Sequence, residues 1–97
     1  MISLRINYGP PFNEVTQKSK ESLEVKENIK MKELLSILEE KYGSEFTANI
    51  WDKKNPEELH ERISIIINGR TFRGENFLDR VLENDGKIWF THYFFGG

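Results

Sequence analysis

The sequence predicts an α+β domain, with one mixed sheet of four to five strands and one main helix packed on one face. Three observations predict it. Apolar residues alternate with polar ones at Ile2, Leu4 and Ile6, and a strongly β-prone run closes the chain at Lys87–Phe95. Between these, Met31, Leu34, Leu35, Leu38 and Tyr42 fall at i, i+3, i+4, i+7 and i+11, one stripe of an α-helix. No linker, repeat or low-complexity segment interrupts the 97 residues, so residues 1–97 form a single domain. Leu, Ile, Val and Phe supply 28 of them, enough to build a core rather than remain disordered.

Each element has its own signal. The first strand ends at Gly9-Pro10-Pro11, and the polar stretch 13–20 reads as a loop. Leu23 and Val25 alternate with Ser22, Glu24 and Lys26, a second strand that forms a hairpin with the first. The helix follows, with Asn28 as a possible cap and Gly43 at the position where a helix end favours a left-handed residue. Residues 44–62 are irregular except for a short helix beginning at Asn55-Pro56-Glu57-Glu58, where Asn caps and Pro takes the first helical position. Ile63, Ile65 and Ile67 form a strand apolar enough to be central. Asn68-Gly69 favours a tight hairpin turn into a short return strand over 70–73. Phe77, Leu78, Val81 and Leu82 lie on a compact turn or short helix, and Asp85-Gly86 turns into the last strand. Ile88 and Phe90 of that strand face the core. The resulting order fits a β-grasp sheet.

Composition excludes several classes of function. A net charge of −2 lacks the basic footprint of a nucleic-acid or anionic-membrane binder. With no cysteine there is no disulfide framework, thiolate metal site or thiol nucleophile. MISLRINYG has no basic region followed by a long apolar stretch, so a cytoplasmic protein is expected. Of the two histidines, His60 sits among Glu57, Glu58 and Glu61 and reads as a solvated surface residue, while His92 packs at a partner surface or faces water. Neither belongs to a metal or catalytic motif. The expectation is a protein with no catalytic residue, no metal ligand and no bound cofactor.

The remaining chemistry lies at the end of the sequence, Phe94-Phe95-Gly96-Gly97. A carboxylate becomes electrophilic only after activation, for example as a mixed anhydride with AMP, and that anhydride must be shielded from water. Two glycines without Cβ can thread a narrow channel that bulkier residues would block. A flexible Gly-Gly tail would thus bring Gly97 into a partner's active site while the body docks outside. Five of the twelve aromatic residues also fall in the last nine positions. Tyr93, Phe94 and Phe95 cannot all be core, and clustered exposed rings mark interaction surfaces. They form the expected docking patch, together with His92.

The helix KMKELLSILEEKYG, the strand and turn IIINGR, the spacing of Leu78 and Leu82 before a turn, an apolar last strand and a terminal GG together resemble the MoaD/ThiS family of ubiquitin-like sulfur carriers. That group includes the molybdopterin synthase small subunit, the thiamine-biosynthesis sulfur carrier and the archaeal small modifier proteins. The resemblance implies a β-grasp fold and a reactive carboxylate on Gly97, preceded by Gly96. It implies an E1-like adenylating enzyme as partner, with ATP and metal belonging to that enzyme. Conversion to a thiocarboxylate would serve molybdopterin/tungstopterin or thiamine biosynthesis, through a molybdopterin-synthase large subunit or a thiazole synthase. In modifier members the same glycine instead forms an isopeptide bond to a substrate-protein lysine.

Overall fold

The computed structural model describes residues 1–71 and 76–93. Strands β1 (Ile2–Tyr8), β2 (Lys20–Val25), β3 (Ile63–Ile67), β4 (Arg70–Thr71) and β5 (Gly86–His92) form one sheet in the order β2-β1-β5-β3-β4. β1 and β2 are the expected antiparallel hairpin, pairing Ile2 with Val25 and Asn7 with Lys20. β5 lies between β1 and β3, parallel to the first (Leu4 with Gly86, Tyr8 with Phe90) and antiparallel to the second (Ile63 with His92, Ile67 with Ile88). The Asn68-Gly69 turn has positive φ at both positions, 50° and 84°, which brings β4 back along β3. The part of the expected return strand at Phe72 and Arg73 lies outside the described residues.

Strand periodicity decides which face is buried. Leu4, Ile6 and Tyr8 of β1, Ile63, Ile65 and Ile67 of β3, and Ile88 and Phe90 of β5 all point to one side and are buried. Helix α2 (Met31–Tyr42) lays Met31, Leu34, Leu35 and Leu38 against them. Its start owes nothing to Asn28, which sits in a turn at φ 63°. Instead the Glu33 carboxylate accepts the Lys30 main-chain N–H at 3.0 Å, and the Met31 N–H donates to the Arg80 carbonyl at 2.9 Å. Gly43, at φ 86°, ends α2.

Three local expectations are corrected. Residues 13–20 are not all loop, because Phe12–Thr16 form a short helix, α1, that buries Phe12 and Thr16. The segment after Gly43 is not irregular but a seven-residue helix, α3 (Ser44–Ile50), with Phe46 and Ile50 buried at i and i+4. Conversely, no helix begins at Asn55. Asp52 accepts main-chain N–H groups from Lys54 and Asn55, while its own N–H donates to the Glu58 carbonyl at 2.8 Å. Together with the Trp51–Leu59 bridge, these bonds close the segment into a loop in which the Glu58 N–H to Asn55 carbonyl bond makes one turn and no helix continues from it.

At the α3 end the core becomes aromatic. Phe46 packs against Phe12 at 5.4 Å, Tyr42 at 5.8 Å and Phe90 at 6.2 Å between ring centroids. Two of the phenols here meet one carboxylate. Glu21 of β2 accepts hydrogen bonds from Tyr8 (2.6 Å), Tyr42 and the Lys41 ammonium (2.7 Å). Burial alone would push the Glu21 carboxyl up, but these donors outweigh it and hold its pKa at about 2 instead of 4.5. Burial and the adjacent carboxylate push the Tyr8 phenol far above its ordinary range.

The sign of the linkage is set by this lowered pKa. The stabilisation from Glu21 is fully present above about 4.5 and is lost as pH falls toward about 2. Glu21→Gln should therefore cost about 1–3 kcal/mol near neutrality, read as a lower denaturant midpoint, because a charge-assisted acceptor is replaced in a half-buried site. That difference from the unsubstituted protein should shrink in the acid range. A constant difference from pH 7 to pH 2 would show that the carboxylate charge is not what Tyr8, Tyr42 and Lys41 recognise.

Candidate functional site

The last described residues occupy the end of β5, and three neighbouring segments fix where the chain leaves the sheet. On one side, β1 turns away at Gly9 and Pro10. The Gly9 N–H donates to the Phe90 carbonyl at 2.8 Å, the His92 N–H to the Pro10 carbonyl at 3.0 Å, and the Thr91 hydroxyl to the same carbonyl at 3.2 Å. On the other side, the Tyr93 N–H donates to the Arg62 carbonyl and its phenol to the Glu61 carbonyl, both at 2.9 Å. Beneath lies α3, whose Asn49 carbonyl accepts from the His92 imidazole Nε2 at 2.8 Å.

Tyr93, one of the residues expected in a docking patch, presents surface, with 41% of it exposed. His92 does not. It is 8% exposed, turned inward on the same face as Ile88 and Phe90, and set edge-on to the Phe12 ring at 5.3 Å. The reason is strand parity: a side chain two residues beyond Phe90 shares its direction. His92 therefore offers almost no surface to a partner. Burial pushes its pKa down, opposed by the Asn49 hydrogen bond and reinforced by His60 and Arg62. His60 is likewise not simply solvated, since its ring stacks on His92 at 4.5 Å. Phe94, Phe95, Gly96 and Gly97 lie outside the described residues.

Several residues at this exit were not singled out from the sequence. Arg62 and Asn49 hold Tyr93 and His92 through carbonyl groups, for which side-chain identity gives no signal. Gly9 did carry a signal, a glycine before Pro-Pro. A Cβ there would stand 2.6 Å from the Thr91 hydroxyl and 2.9 Å from its Cβ, so β1 and β5 approach closely only because the residue is glycine. On the uncovered side of the sheet, Lys87, Trp89 and Thr91 alternate outward, and Trp89 is 38% exposed beside Ile66 and Asn7. Among the described residues, no three His, Cys, Asp or Glu side chains come together as a metal-binding group, and no helix is long and apolar enough to cross a membrane.

No family model and no curated protein matches the sequence. Solved structures do match the architecture. Small archaeal modifier protein 1 from Methanosarcina acetivorans is 22% identical, with 100% of this chain and 98% of that chain covered, at a TM-score of 0.76. The β-grasp, ubiquitin-like fold is confirmed. SAMP1 from Haloferax volcanii superimposes over 98% of this chain and 99% of its own at a TM-score of 0.77 and 15% identity. A putative molybdopterin converting factor, subunit 1, from Pyrococcus furiosus does so over 95% and 98%, at 0.72 and 14%. The names these structures carry are those of the group that the helix, the IIINGR turn and the last strand resemble.

The close approach at Gly9 makes a direct prediction. Gly9→Ala should destabilise the fold by about 1–3 kcal/mol, because the added methyl must displace Thr91 at its Cβ as well as its hydroxyl. Thermal unfolding measures it. An unchanged midpoint would show that the β1–β5 junction gives way without cost.

Proposed function

We propose that the chain is a ubiquitin-like sulfur carrier of the MoaD/ThiS type, acting through the carboxylate of Gly97. The observation that carries this reading is the combination of a β-grasp body with a held exit at Tyr93, after which four residues ending in Gly96-Gly97 remain in the sequence. Fully extended, four residues span about 13 Å, enough to reach into a partner's active site while the body stays outside.

The chemistry follows from the carboxylate. In the proposed reaction, a Gly97 oxygen attacks the α-phosphorus of ATP on an E1-like enzyme and pyrophosphate leaves. The terminal sulfur of a persulfide on a partner then attacks the Gly97 carbonyl carbon and expels AMP, and a second thiol attacks the partner's sulfur in the resulting acyl disulfide, forming a disulfide with it and releasing Gly97 as a thiocarboxylate. That sulfur goes to a cofactor precursor, of the molybdopterin/tungstopterin or thiamine class, on a molybdopterin-synthase large subunit or a thiazole synthase. ATP and its metal are held by the activating enzyme, and this chain contributes no catalytic side chain. Gly96 and Gly97 pass where a Cβ would clash. Tyr93, Phe94 and Phe95 form the patch by which the enzyme recognises the correct tail. The setting is the cytoplasm.

The similarity to structures named as small archaeal modifier proteins favours a second reading, in which the same activated glycine forms an isopeptide bond to a lysine of another protein. Intact-mass measurement on protein from its native host separates the two. Replacement of one oxygen by sulfur on the chain supports the carrier, and Gly-Gly remnants on lysines of other proteins support the modifier. Neither product, with no phenotype on deleting Gly96-Gly97, would overturn both.

Replacing Phe94 and Phe95 together with Ser should slow adenylation by a cognate activating enzyme at least about tenfold, the equivalent of losing about 1.4 kcal/mol of interaction. The thermal midpoint should barely move. If stability falls instead, the two rings are core and do not form a docking patch.

A further inference from the structure

The tail exit holds two histidines that the proposed chemistry does not use. His60 and His92 stack with ring centroids 4.5 Å apart and planes 28° apart. Their hydrogen bonds define their protonation. The Arg62 N–H donates to His60 Nδ1 at 3.0 Å, so that nitrogen carries a lone pair and the ring is neutral, with its proton on Nε2. His92 Nε2 faces the Asn49 carbonyl at 2.8 Å and therefore donates to it, which leaves Nδ1 as the site for a second proton.

The same three residues, 60 to 62, hold Tyr93. His60 stacks on His92, the Glu61 carbonyl accepts the Tyr93 phenol, and the Arg62 carbonyl accepts the Tyr93 N–H. Protonating His60 at Nδ1 would set a donor against the Arg62 N–H and place a cation on the His92 ring. Protonating His92 as well would put two cations face to face, beside the Arg62 guanidinium. Other described groups also face the pair. α3 contributes the Asn49 carbonyl, and α1 contributes the uncharged Phe12 ring. Asp52, Lys53, Lys54 and Glu61 line the groove beside His60, a mixed set of two acids and two bases.

We propose that the stacked His60–His92 pair is a pH-sensitive latch at the point where the chain leaves β5, closed on Tyr93 when both rings are neutral and opened by their protonation. The latch regulates the site proposed above and takes its functional meaning from that reading, but its existence is measured without it. Burial already holds His92 toward the neutral form, so the closed state is favoured above the ordinary histidine range and is lost as pH falls through the lowered value.

Amide hydrogen exchange on the full chain tests this at pH values of about 7.5 and about 5, which bracket the ordinary histidine range. Corrected for intrinsic rates, protection of the Tyr93 amide should fall by about tenfold or more at the lower pH. Ile65 and Leu35, in the middle of β3 and α2, should keep theirs. His60→Phe retains a ring in the stack but cannot take a proton, so the fall in Tyr93 protection between the two pH values should shrink to the part that His92 alone carries. NMR titration of the His92 ring in that variant should move to higher pH, because an opposing charge is gone. Constant Tyr93 protection in the unsubstituted chain while His92 titrates would overturn the latch, as would an undiminished drop in His60→Phe. If the drop occurs but Gly97 is never charged in the presence of an activating enzyme, the functional reading fails and the latch stands. If Gly97 is charged but the drop is absent, the reverse holds.

Discussion

The parallel pairing of β1 with β5 is the constraint on which the rest of the structure depends. Parallel neighbours cannot be joined by a tight turn, so the chain between them must cross over one face of the sheet. Here α2 and α3 make that crossing and bury the face they cover. The pairing puts Tyr8 beside Phe90, which stacks the two rings and opens the space that Phe12 and Phe46 fill. It also sends both strands out at the same end. The Gly9-Pro10 turn and the exit at Tyr93 are therefore adjacent because of topology, and the bonds between them follow from that.

The core this creates has two regions with different physics. Around α2 it is aliphatic, with Leu34, Leu35 and Leu38 over Leu4, Ile6 and Ile88, and non-directional burial holds it. Around α3 it is aromatic and partly polar, and here direction matters. Tyr8 and Tyr42 reach the core with their rings while their hydroxyls must find an acceptor. Glu21 provides one acceptor for both, and the Lys41 ammonium balances its charge. The network ties the edge strand β2 to the last turn of α2, two elements with little apolar surface in common.

The parts legible in the sequence were those whose signal repeats. Five residues in one stripe defined α2, alternation defined β1, β2, β3 and β5, and Asn68-Gly69 defined a turn that needs positive φ twice. What escaped was too short to repeat. α1 and α3, with five and seven residues, each bury two side chains and exist because the aromatic pocket receives Phe12 and Phe46. Asn55-Pro56 had good helix-start chemistry, but the segment forms a single turn, with the Glu58 N–H on the Asn55 carbonyl, inside a loop closed by the Trp51–Leu59 bridge. At the exit, the position of Tyr93 was readable and that of His92 was misread, although the alternation that turned Ile88 and Phe90 inward extends to it. Carbonyl acceptors such as Asn49, Glu61 and Arg62 could not be read at all, since the backbone carries no residue-specific signal.

The central place of β5 also has a consequence for synthesis. It is the last of the five described strands to be synthesised, yet it fills the gap between β1 and β3. Until it arrives, β1 and β3 have no partner on their inner edges, and Tyr8 and Phe46 lack the Phe90 ring. A nascent chain can form its first hairpin and α2, but it cannot close the sheet. Completion of the body and delivery of the segment after Tyr93 are therefore one event. A partner that recognises the finished body together with that segment meets only chains that have folded.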